Sequence, residues 1–276
     1  MPMSLRTNVA SLDAQRNLYS TQQALDSSMS KLSSGYRITK AGDDAAGLGI
    51  SVNLEAQIRS YNQAAHNAQD GVSVLQTGEG ALNEVTNILT RLRELAMESA
   101  SDGIGNTERG YIQMETTALT TEVSRIANAT EFNGIHLLNT AGTSLTFQVG
   151  IRNVAANDQI TVSTVDVTAT TLGVGALSLA TSVAARNALT TLDAALQTVS
   201  GARASFGAAG NRFTNVIAQI QSASENLSAA DSRIRDVDVA EESAKMSRAQ
   251  ILMQAGVAVL AQANQAPQIA LKLLGG

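Results

Sequence analysis

The sequence predicts a mainly α protein, an elongated antiparallel bundle of long helices and coiled coil with a small β-hairpin region. Prolines occur only at Pro2 and Pro267, so no proline interrupts a helix between the two ends of the chain. Aromatic residues make up 3% of the 276 residues and hydrophobic residues 44%, a composition that favours thin, closely packed helices. At both ends, apolar residues recur at the spacing of a coiled coil.

The composition excludes several functional classes. Cysteine is absent, and the two histidines, His66 and His136, lie too far apart in the sequence to suggest a zinc site. The net charge of −5 provides no basic surface for nucleic acid. No stretch approaches the ~20 apolar residues of a membrane-spanning helix, and the N-terminus lacks a secretory signal. We therefore expect no catalytic residues, cofactor, metal, nucleic-acid partner or membrane insertion.

The spacing of apolar residues at each end of the chain predicts a helix with an apolar seam. The first helix covers residues 4–36, and a register slip between Leu12 and Leu18 indicates a stutter. Its seam comprises Leu5, Val9, Leu12, Leu18, Leu25, Met29, Leu32 and Tyr36. The C-terminal seam comprises Val239, Met246, Met253 and Leu260, with Ala249 and Val257 between them. Because a helix cannot bury its own seam, we expect the ends to pack on each other or on neighbouring copies.

The region between the two ends predicts three further helices and the hairpin. The helices cover residues 45 to about 101, about 107 to 129, and 181–235, each with a broad apolar stripe. Alternating apolar and polar residues at 145–150 and 159–167 predict the β-hairpin. The surrounding interval is rich in Thr, Ser, Val and Gly and holds no Lys or Arg between Arg152 and Arg186. We expect it to be the exposed, replaceable part of the molecule.

Two short motifs have simple structural explanations. The segment Gly78-Glu79-Gly80 lacks the preceding strand and the third glycine of a dinucleotide-binding loop, so it predicts an interruption of the helix. Asp43 and Asp44 stand where a helix begins, and carboxylates at that position offset unpaired amides and the helix dipole. Neither motif indicates catalysis.

Motifs at both ends of the chain closely resemble bacterial flagellin. In the N-terminal half they include Leu32-Ser-Ser-Gly-Tyr-Arg-Ile, Asn67-Ala-Gln-Asp-Gly and Thr130-Glu-Phe-Asn-Gly. In the C-terminal half they include Asn211-Arg-Phe, Ser232-Arg-Ile-Arg-Asp and Leu260-Ala-Gln-Ala-Asn-Gln-Ala-Pro-Gln. Their order makes the resemblance specific. The short interval between Asn139 and Ser182 indicates a short flagellin without large central outer domains.

The resemblance implies two domains, each assembled from both ends of the chain. A terminal coiled-coil polymerisation domain pairs residues 1–42 with residues 236–276. A helical bundle domain combines residues 43–180 with 181–235 and carries the β-hairpin at about 144–168. Gly35 and Gly42 would mark the junction of the two domains, with the returning chain crossing near residues 235–239.

The resemblance also implies a function, that of a structural subunit which assembles with its own copies into the bacterial flagellar filament for motility. Such a subunit is exported unfolded by the flagellar export apparatus with an export chaperone, is secreted, and polymerises at the tip. There it meets the filament cap and junction proteins. The residues expected to carry self-assembly are the apolar seam positions Leu5, Val9, Leu12, Leu18, Leu25, Met29, Leu32, Met246, Met253, Val257 and Leu260.

Recognition by animal innate immunity is a second implication of the resemblance. In the family, Toll-like receptor 5 engages an Arg-x-x-x-Leu pair on one helix and a Glu on the next antiparallel helix. These roles fall on Arg91, Leu95 and Glu115, and the first two share one helical face because they are four residues apart. The C-terminal leucines resemble the motif sensed by cytosolic inflammasome receptors, and they are Leu271, Leu273 and Leu274.

Two other interpretations remain open. A hook-filament junction protein shares the terminal coiled coils and the style of the N-terminal motifs. The complete Ala263-Asn-Gln-Ala-Pro-Gln ending and the Arg93-Glu-Leu-Ala segment favour flagellin over that alternative. A helical signalling or membrane-associated module would explain the heptads, but it would explain neither the paired termini nor the hairpin.

Overall fold

The computed structural model describes residues 7–274, with side chains described as far as residue 265. This part of the chain is about 74% helical and forms six helices and two small antiparallel sheets, which confirms the predicted mainly α class. In chain order the elements are α1 Val9–Ser34, α2 Ala45–Ala100, α3 Asn106–Ala129, β1 Glu131–Phe132, β2 Ile135–His136, β3 Ser144–Gln148, α4 Ala155–Asp158, β4 Gln159–Ser163, α5 Ser182–Arg235 and α6 Val239–Leu274.

The chain divides into two compact units. The first, which we call the terminal unit, consists of residues up to Ala56 together with residues from Asn226 onwards. The second, the central unit, runs from Gln57 to Glu225. Two long helices, α2 and α5, contribute to both units.

Local sequence signals explain where the N-terminal helices begin and end. Asn8 caps α1, because its side-chain oxygen accepts a hydrogen bond from the Ser11 backbone N–H at 3.1 Å. The helix ends at Gly35, whose φ of 76° lies in the left-handed region that glycine adopts at little cost. Asp44 precedes α2 and accepts a hydrogen bond from the Gly47 N–H at 2.8 Å. This carboxylate therefore has the capping role expected from its position in the sequence.

The core of the central unit is formed mainly by the inward stripes of α2, α3 and α5. Two phenylalanines of α5 lie directly over glycines of α2. A Cβ added at Gly71 would lie 2.5 Å from Cζ of Phe213, and a Cβ at Gly78 would lie 2.6 Å from Cε2 of Phe206. The rings therefore occupy space that only glycine leaves free. Other fully buried residues of these helices are Leu82, Val85, Leu89, Leu92, Val123, Leu192 and Val199.

The predicted helix interruption at Gly78-Glu79-Gly80 is wrong. Helix α2 continues from Ala45 to Ala100 through both glycines. A glycine in a helix costs roughly 0.5–1 kcal/mol relative to alanine. The packing of Phe206 on Gly78 offsets that cost, because a larger residue there would prevent the close approach of α5.

Two β-hairpins lie in the central unit. Asn133 and Gly134 join β1 to β2 with φ angles of 51° and 77°, as expected for the two-residue turn that Asn-Gly favours. Strands β3 and β4 form the hairpin predicted from the alternating pattern, in a register that pairs Phe147 with Ile160. Their pairing ends at Ser163, and the short helix α4 lies in the connection between them.

The interval around this hairpin is not the exposed region that the sequence led us to expect. After β4 the chain returns to the core, where the Val167 N–H donates a hydrogen bond to the Leu138 carbonyl at 2.9 Å. Val167, Val174 and Leu179 are fully buried. The Thr- and Ser-rich composition misled the prediction, because the valines and leucines between the polar residues close the core of the central unit.

Candidate self-assembly surface

The terminal unit contains a coiled coil of α1 and α6. Its seam follows unbroken heptads, in which residues three and four apart face the other helix. On α1 the seam residues are Ser11, Ala14, Leu18, Thr21, Leu25, Ser28 and Leu32. On α6 they are Glu242, Met246, Ala249, Met253, Gly256, Leu260 and Ala263. All of these residues are buried or half-buried, and we call the set the coiled-coil seam.

The residues predicted to carry self-assembly divide between this seam and the exposed surface. Those in the coiled-coil seam are Leu18, Leu25, Leu32, Met246, Met253 and Leu260. Those on the surface, with exposed fractions of 51–59%, are Val9, Leu12, Met29 and Val257. Leu5 lies outside the described residues. The predicted seam positions Tyr36 and Val239 are also exposed.

The predicted stutter between Leu12 and Leu18 is wrong. The prediction counted only large apolar residues, whereas several seam positions of α1 hold serine, alanine or threonine. Small residues allow the two helices to approach closely. At Gly256, for example, an added Cβ would lie only 3.1 Å from the Leu18 side chain. The heptad recurrence of small residues was the signal that could have placed this seam correctly.

A second set of large apolar side chains on the same two helices is exposed. We call it the outer apolar surface, and its members are Val9, Leu12, Tyr19 and Met29 on α1 and Ile251, Leu252, Val257 and Val259 on α6. Their exposed fractions run from 51% to 68%. The sequence of the terminal unit balances ten Lys and Arg residues against ten Asp and Glu residues, so it has no net charge. Eight large apolar side chains exposed on one pair of helices indicate a surface available for contact.

Two chain segments cross where α1 ends and α6 begins. The Arg37 N–H donates a hydrogen bond to the Arg235 carbonyl at 2.6 Å, and the Val237 N–H donates to the Gly35 carbonyl at 3.0 Å. The guanidinium of Arg235 also lies over the Tyr36 ring, 4.1 Å from its centroid. These contacts hold the beginning of α6 beside the end of α1.

A charged groove of about 480 Å³ lies in the terminal unit beside this crossing. Its carboxylates have structural partners. Asp43 accepts hydrogen bonds from the backbone N–H groups of Thr39 and Lys40 and from the Thr39 hydroxyl, all at 3.0 Å. The two hydrogen bonds from Thr39 are the main cause that lowers the pKa of Asp43. Asp238 caps α6 by accepting from the Ala240 N–H at 2.9 Å. Among residues 7–274, no cluster of three or more potential ligands is arranged to hold a metal ion.

The predicted receptor residues lie in the central unit, on α2 and α3. Arg91 Nε donates a hydrogen bond to Glu115 Oε1 at 2.9 Å, and the two side chains are 49% and 44% exposed. Arg91 also pairs with Glu94 at 3.1 Å. Hydrogen bonds to Glu115 and then Glu94 raise the pKa of Arg91 above its usual value. Leu95 is only 1% exposed and belongs to the core. The predicted inflammasome motif, Leu271, Leu273 and Leu274, lies outside the described side chains.

Comparison with known proteins identifies the family. The bacterial flagellin N-terminal helical region matches residues 5–143, and the bacterial flagellin C-terminal helical region matches residues 189–274. A flagellin of Halalkalibacterium halodurans is 42% identical over 272 residues, covering 99% of this chain and 100% of that protein.

Solved structures share the fold. A crystal structure of Bacillus cereus flagellin, 33% identical, has a TM-score of 0.51 and covers 60% of this chain and 94% of its own. A putative flagellar hook-associated protein from Vibrio parahaemolyticus has a TM-score of 0.59 at 14% identity, covering 70% of this chain and 100% of its own. The latter similarity concerns the fold alone.

The family that these matches identify consists of structural proteins, not enzymes. The chain belongs to the bacterial flagellin family, and its length fits a flagellin that lacks a large central domain. It is a structural subunit that polymerises with its own copies into the extracellular flagellar filament, and the hook-filament junction alternative is not favoured. Within residues 7–274, no helix is long and apolar enough to cross a membrane.

Proposed function

We propose that this flagellin polymerises through residues 1–42 and 236–276 and that the outer apolar surface is buried between neighbouring copies. The exposure of that surface carries the proposal. Fully burying a Val, Leu, Ile or Met side chain contributes roughly 1.5–3 kcal/mol, so a half-exposed residue leaves about 1 kcal/mol to be gained on contact. In an open helical polymer, each copy offers a surface complementary to a different surface of the next. The absence of net charge on the terminal unit leaves little long-range repulsion to oppose this contact.

Two substitutions on the outer apolar surface test the proposal. Leu12→Ser and Val257→Ser should each raise the critical concentration for seeded filament growth by roughly fivefold, the equilibrium effect of about 1 kcal/mol. Gln254→Ser on the exposed side of α6 is the matched control and should leave the critical concentration unchanged. Light scattering gives the concentration, and electron microscopy identifies the filaments. Equal behaviour of all three variants would refute the proposal.

A truncation tests the requirement for α6 as a whole. A chain ending at Met246 lacks most of the α6 seam, so α1 has no helix with which to form the coiled coil that carries the proposed contacts. The truncated chain should therefore remain a soluble monomer. Filaments grown from that truncated chain would contradict the proposed polymerisation domain.

Residues 43–180 with 181–235 form the helical bundle domain, which carries the hairpin at about 144–168. The chain passes unfolded through the flagellar export apparatus with an export chaperone and is added at the tip, between the junction proteins and the filament cap. The absence of cysteine supports this route, because no disulfide has to be broken before the chain can be threaded.

We also propose that Toll-like receptor 5 recognises the surface around the Arg91–Glu115 ion pair. The motif match and the exposure of both side chains support this second function. Leu95 is buried beneath that surface. In this proposal Leu95 therefore anchors the turn of α2 that presents Arg91, and it makes no direct contact with the receptor.

The receptor proposal has a matched control on α3. Arg91→Ala and Glu115→Ala should each raise the half-maximal dose in a receptor reporter assay by roughly tenfold, which corresponds to about 1.4 kcal/mol of binding free energy. Arg125→Ala breaks an exposed ion pair with Glu122 on the same helix and should leave the dose unchanged. Unaltered dose responses for the first two variants would count against the assignment.

A further inference from the structure

The coiled-coil seam repeats along both helices, so its large apolar residues alone permit more than one alignment. Leucine or methionine recurs every seven residues, at Leu18, Leu25 and Leu32 on α1 and at Met246, Met253 and Leu260 on α6. Sliding one helix by a heptad, about 10 Å, would bring similar side chains together again. The backbone hydrogen bonds at the crossing hold the two helices at one end, and a feature within the seam is needed to keep the rest of the pair in one alignment in every copy of the filament.

Ser28 and Glu242 form a layer of the seam that does not repeat. Ser28 Oγ donates a hydrogen bond to Glu242 Oε1 at 2.7 Å, and the two residues are 5% and 6% exposed. Lys245 lies 3.4 Å from the other carboxylate oxygen, and Lys31 on α1 adds a second positive charge nearby. A buried carboxylate destabilises a structure unless such partners surround it.

A shift of one heptad removes this arrangement in either direction. One shift carries Glu242 beyond the end of α1, opposite Gly35, which has no side chain to donate a hydrogen bond. The opposite shift places Glu242 against Thr21 and moves it about 10 Å from Lys31. In both alignments the carboxylate loses the combination of a hydroxyl donor and a positive charge from α1.

Leu18 and Gly256 form a second layer that disfavours the same shifts. An added Cβ on Gly256 would lie 3.1 Å from Leu18 Cγ, so the leucine fills the space that the glycine leaves. A shift of one heptad would place Ala249 or Ala263 opposite Leu18. Either alanine would introduce a methyl group into a space already filled by the leucine, and such overpacking destabilises helix contacts.

We propose that the Ser28–Glu242 hydrogen bond, supported by the Leu18–Gly256 contact, determines the register in which α1 and α6 pair. The polar layer then contributes specificity more than stability, because an apolar pair at the same positions would leave only the Leu18–Gly256 contact to distinguish the alignments within the seam. This inference rests on the proposed role of the coiled coil in polymerisation, since a filament needs every copy in the same register.

Introduced cysteines report the register without background, because the natural chain has none. Thr21→Cys with Ala249→Cys reports the native alignment, since these positions lie one heptad along from Ser28 and Glu242. Ala14→Cys with Ala249→Cys reports a shift in one direction, and Ala14→Cys with Ala263→Cys reports the other. A disulfide needs Cα atoms within about 7 Å, so each pair closes in one alignment. The full-length protein is oxidised after seeding, and intrachain disulfides are read on a nonreducing gel.

Each cysteine pair is placed in the natural chain, in the Ser28→Ala/Glu242→Met variant and in Glu241→Met. The last is a matched control, because Glu241 is an exposed carboxylate beside Glu242. In the natural chain and the control, we expect the native pair to form its disulfide efficiently and the shifted pairs to form theirs only at a low background level. In the double variant, shifted disulfides should be roughly tenfold more abundant, the effect of losing one charge-assisted hydrogen bond.

The other outcomes are decisive. Shifted disulfides that stay at the background level in the double variant would overturn the proposal, and so would shifted disulfides as abundant as the native one in the natural chain. Absence of any disulfide in the double variant would overturn it as well, because the polar layer would then hold the helices together without selecting their register. If the natural chain with the Thr21→Cys/Ala249→Cys pair forms its native disulfide but grows no filaments, the proposed role of the coiled coil in polymerisation is contradicted instead.

Discussion

Replacing Gly78 by alanine should destabilise the central unit, whereas the same change at Gly80 should stabilise it. Both glycines lie inside α2. A Cβ at Gly78 would lie 2.6 Å from Cε2 and 3.3 Å from Cδ2 of Phe206, whose ring is buried. At Gly80 no heavy atom lies within 4 Å of the same position. The pair therefore separates the effect of steric contact from the effect of helix propensity.

The magnitude follows from two opposing contributions. Each alanine gains roughly 0.5–1 kcal/mol of helix propensity over glycine. Only Gly78→Ala also incurs the cost of overpacking, about 1–3 kcal/mol, because the Phe206 ring must move. The net result is a stabilisation of about 0.5–1 kcal/mol for Gly80→Ala and a destabilisation of up to about 2 kcal/mol for Gly78→Ala. For a unit of this size, these values correspond to a rise in Tm of about 1–4 °C and a fall of up to about 8 °C.

Thermal unfolding of the dilute, unpolymerised full-length chain, followed by circular dichroism, measures both variants. The combination of Gly78→Ala with Phe206→Leu completes a double-mutant cycle, in which the smaller side chain should recover part of the loss. Equal shifts in Tm for Gly78→Ala and Gly80→Ala, or no coupling between Gly78 and Phe206, would refute the packing explanation.

Two further predictions concern buried charges. Arg109, which is 8% exposed, donates hydrogen bonds to the carbonyls of Ser99 at 3.0 Å and Ser101 at 2.8 Å near the end of α2. Arg109→Ala should therefore lower the free energy of unfolding by about 3 kcal/mol in urea titrations, whereas the exposed Arg125→Ala should change it by less than about 1 kcal/mol; equal losses would contradict the prediction. The hydrogen bond from Ser28, followed by the charge of Lys245, lowers the pKa of Glu242 below 4.5. The ionised Glu242 stabilises the fold fully at a pH above its pKa in the unfolded chain, and this contribution is lost as the pH falls through its lower pKa in the folded chain. The difference in stability between the natural chain and Glu242→Gln should therefore shrink as the pH drops below about 4.5. A difference that stays constant across acid titrations followed by circular dichroism would show that Glu242 is not responsible.

The long helices were predictable because their signals are local. Without an internal proline, the apolar period continues through α2 and α5, and the observed ends differ from the predicted ends by only a residue or two. The α1 helix begins later than predicted, at the Asn8 cap, because the Asn8 side chain accepts a hydrogen bond from the Ser11 N–H and so satisfies one of the first free amides. The hairpin of β3 and β4 was also visible, since alternation with a period of two is a property of each strand alone.

The candidate site was only partly predictable. Six of the large apolar residues that the heptad spacing selected lie in the coiled-coil seam. The residues that complete the seam, such as Ser28 and Gly256, carry no hydrophobic signal and depend on what stands opposite them. The buried Glu242 was missed for the same reason, because a lone carboxylate in a sequence is usually solvated.

The long helices, the hairpin of β3 and β4 and the family were predictable from the sequence, because helix and strand periods and short motifs are properties of neighbouring residues. Which face of each helix is covered depends on the folded arrangement. A residue from a distant part of the chain decides the role of each position. Gly78 leaves space for the Phe206 ring inside a continuous helix, and Val9 is exposed whereas Val167 is buried. Burial and close packing are properties of such pairs, so they exist only once the chain has folded.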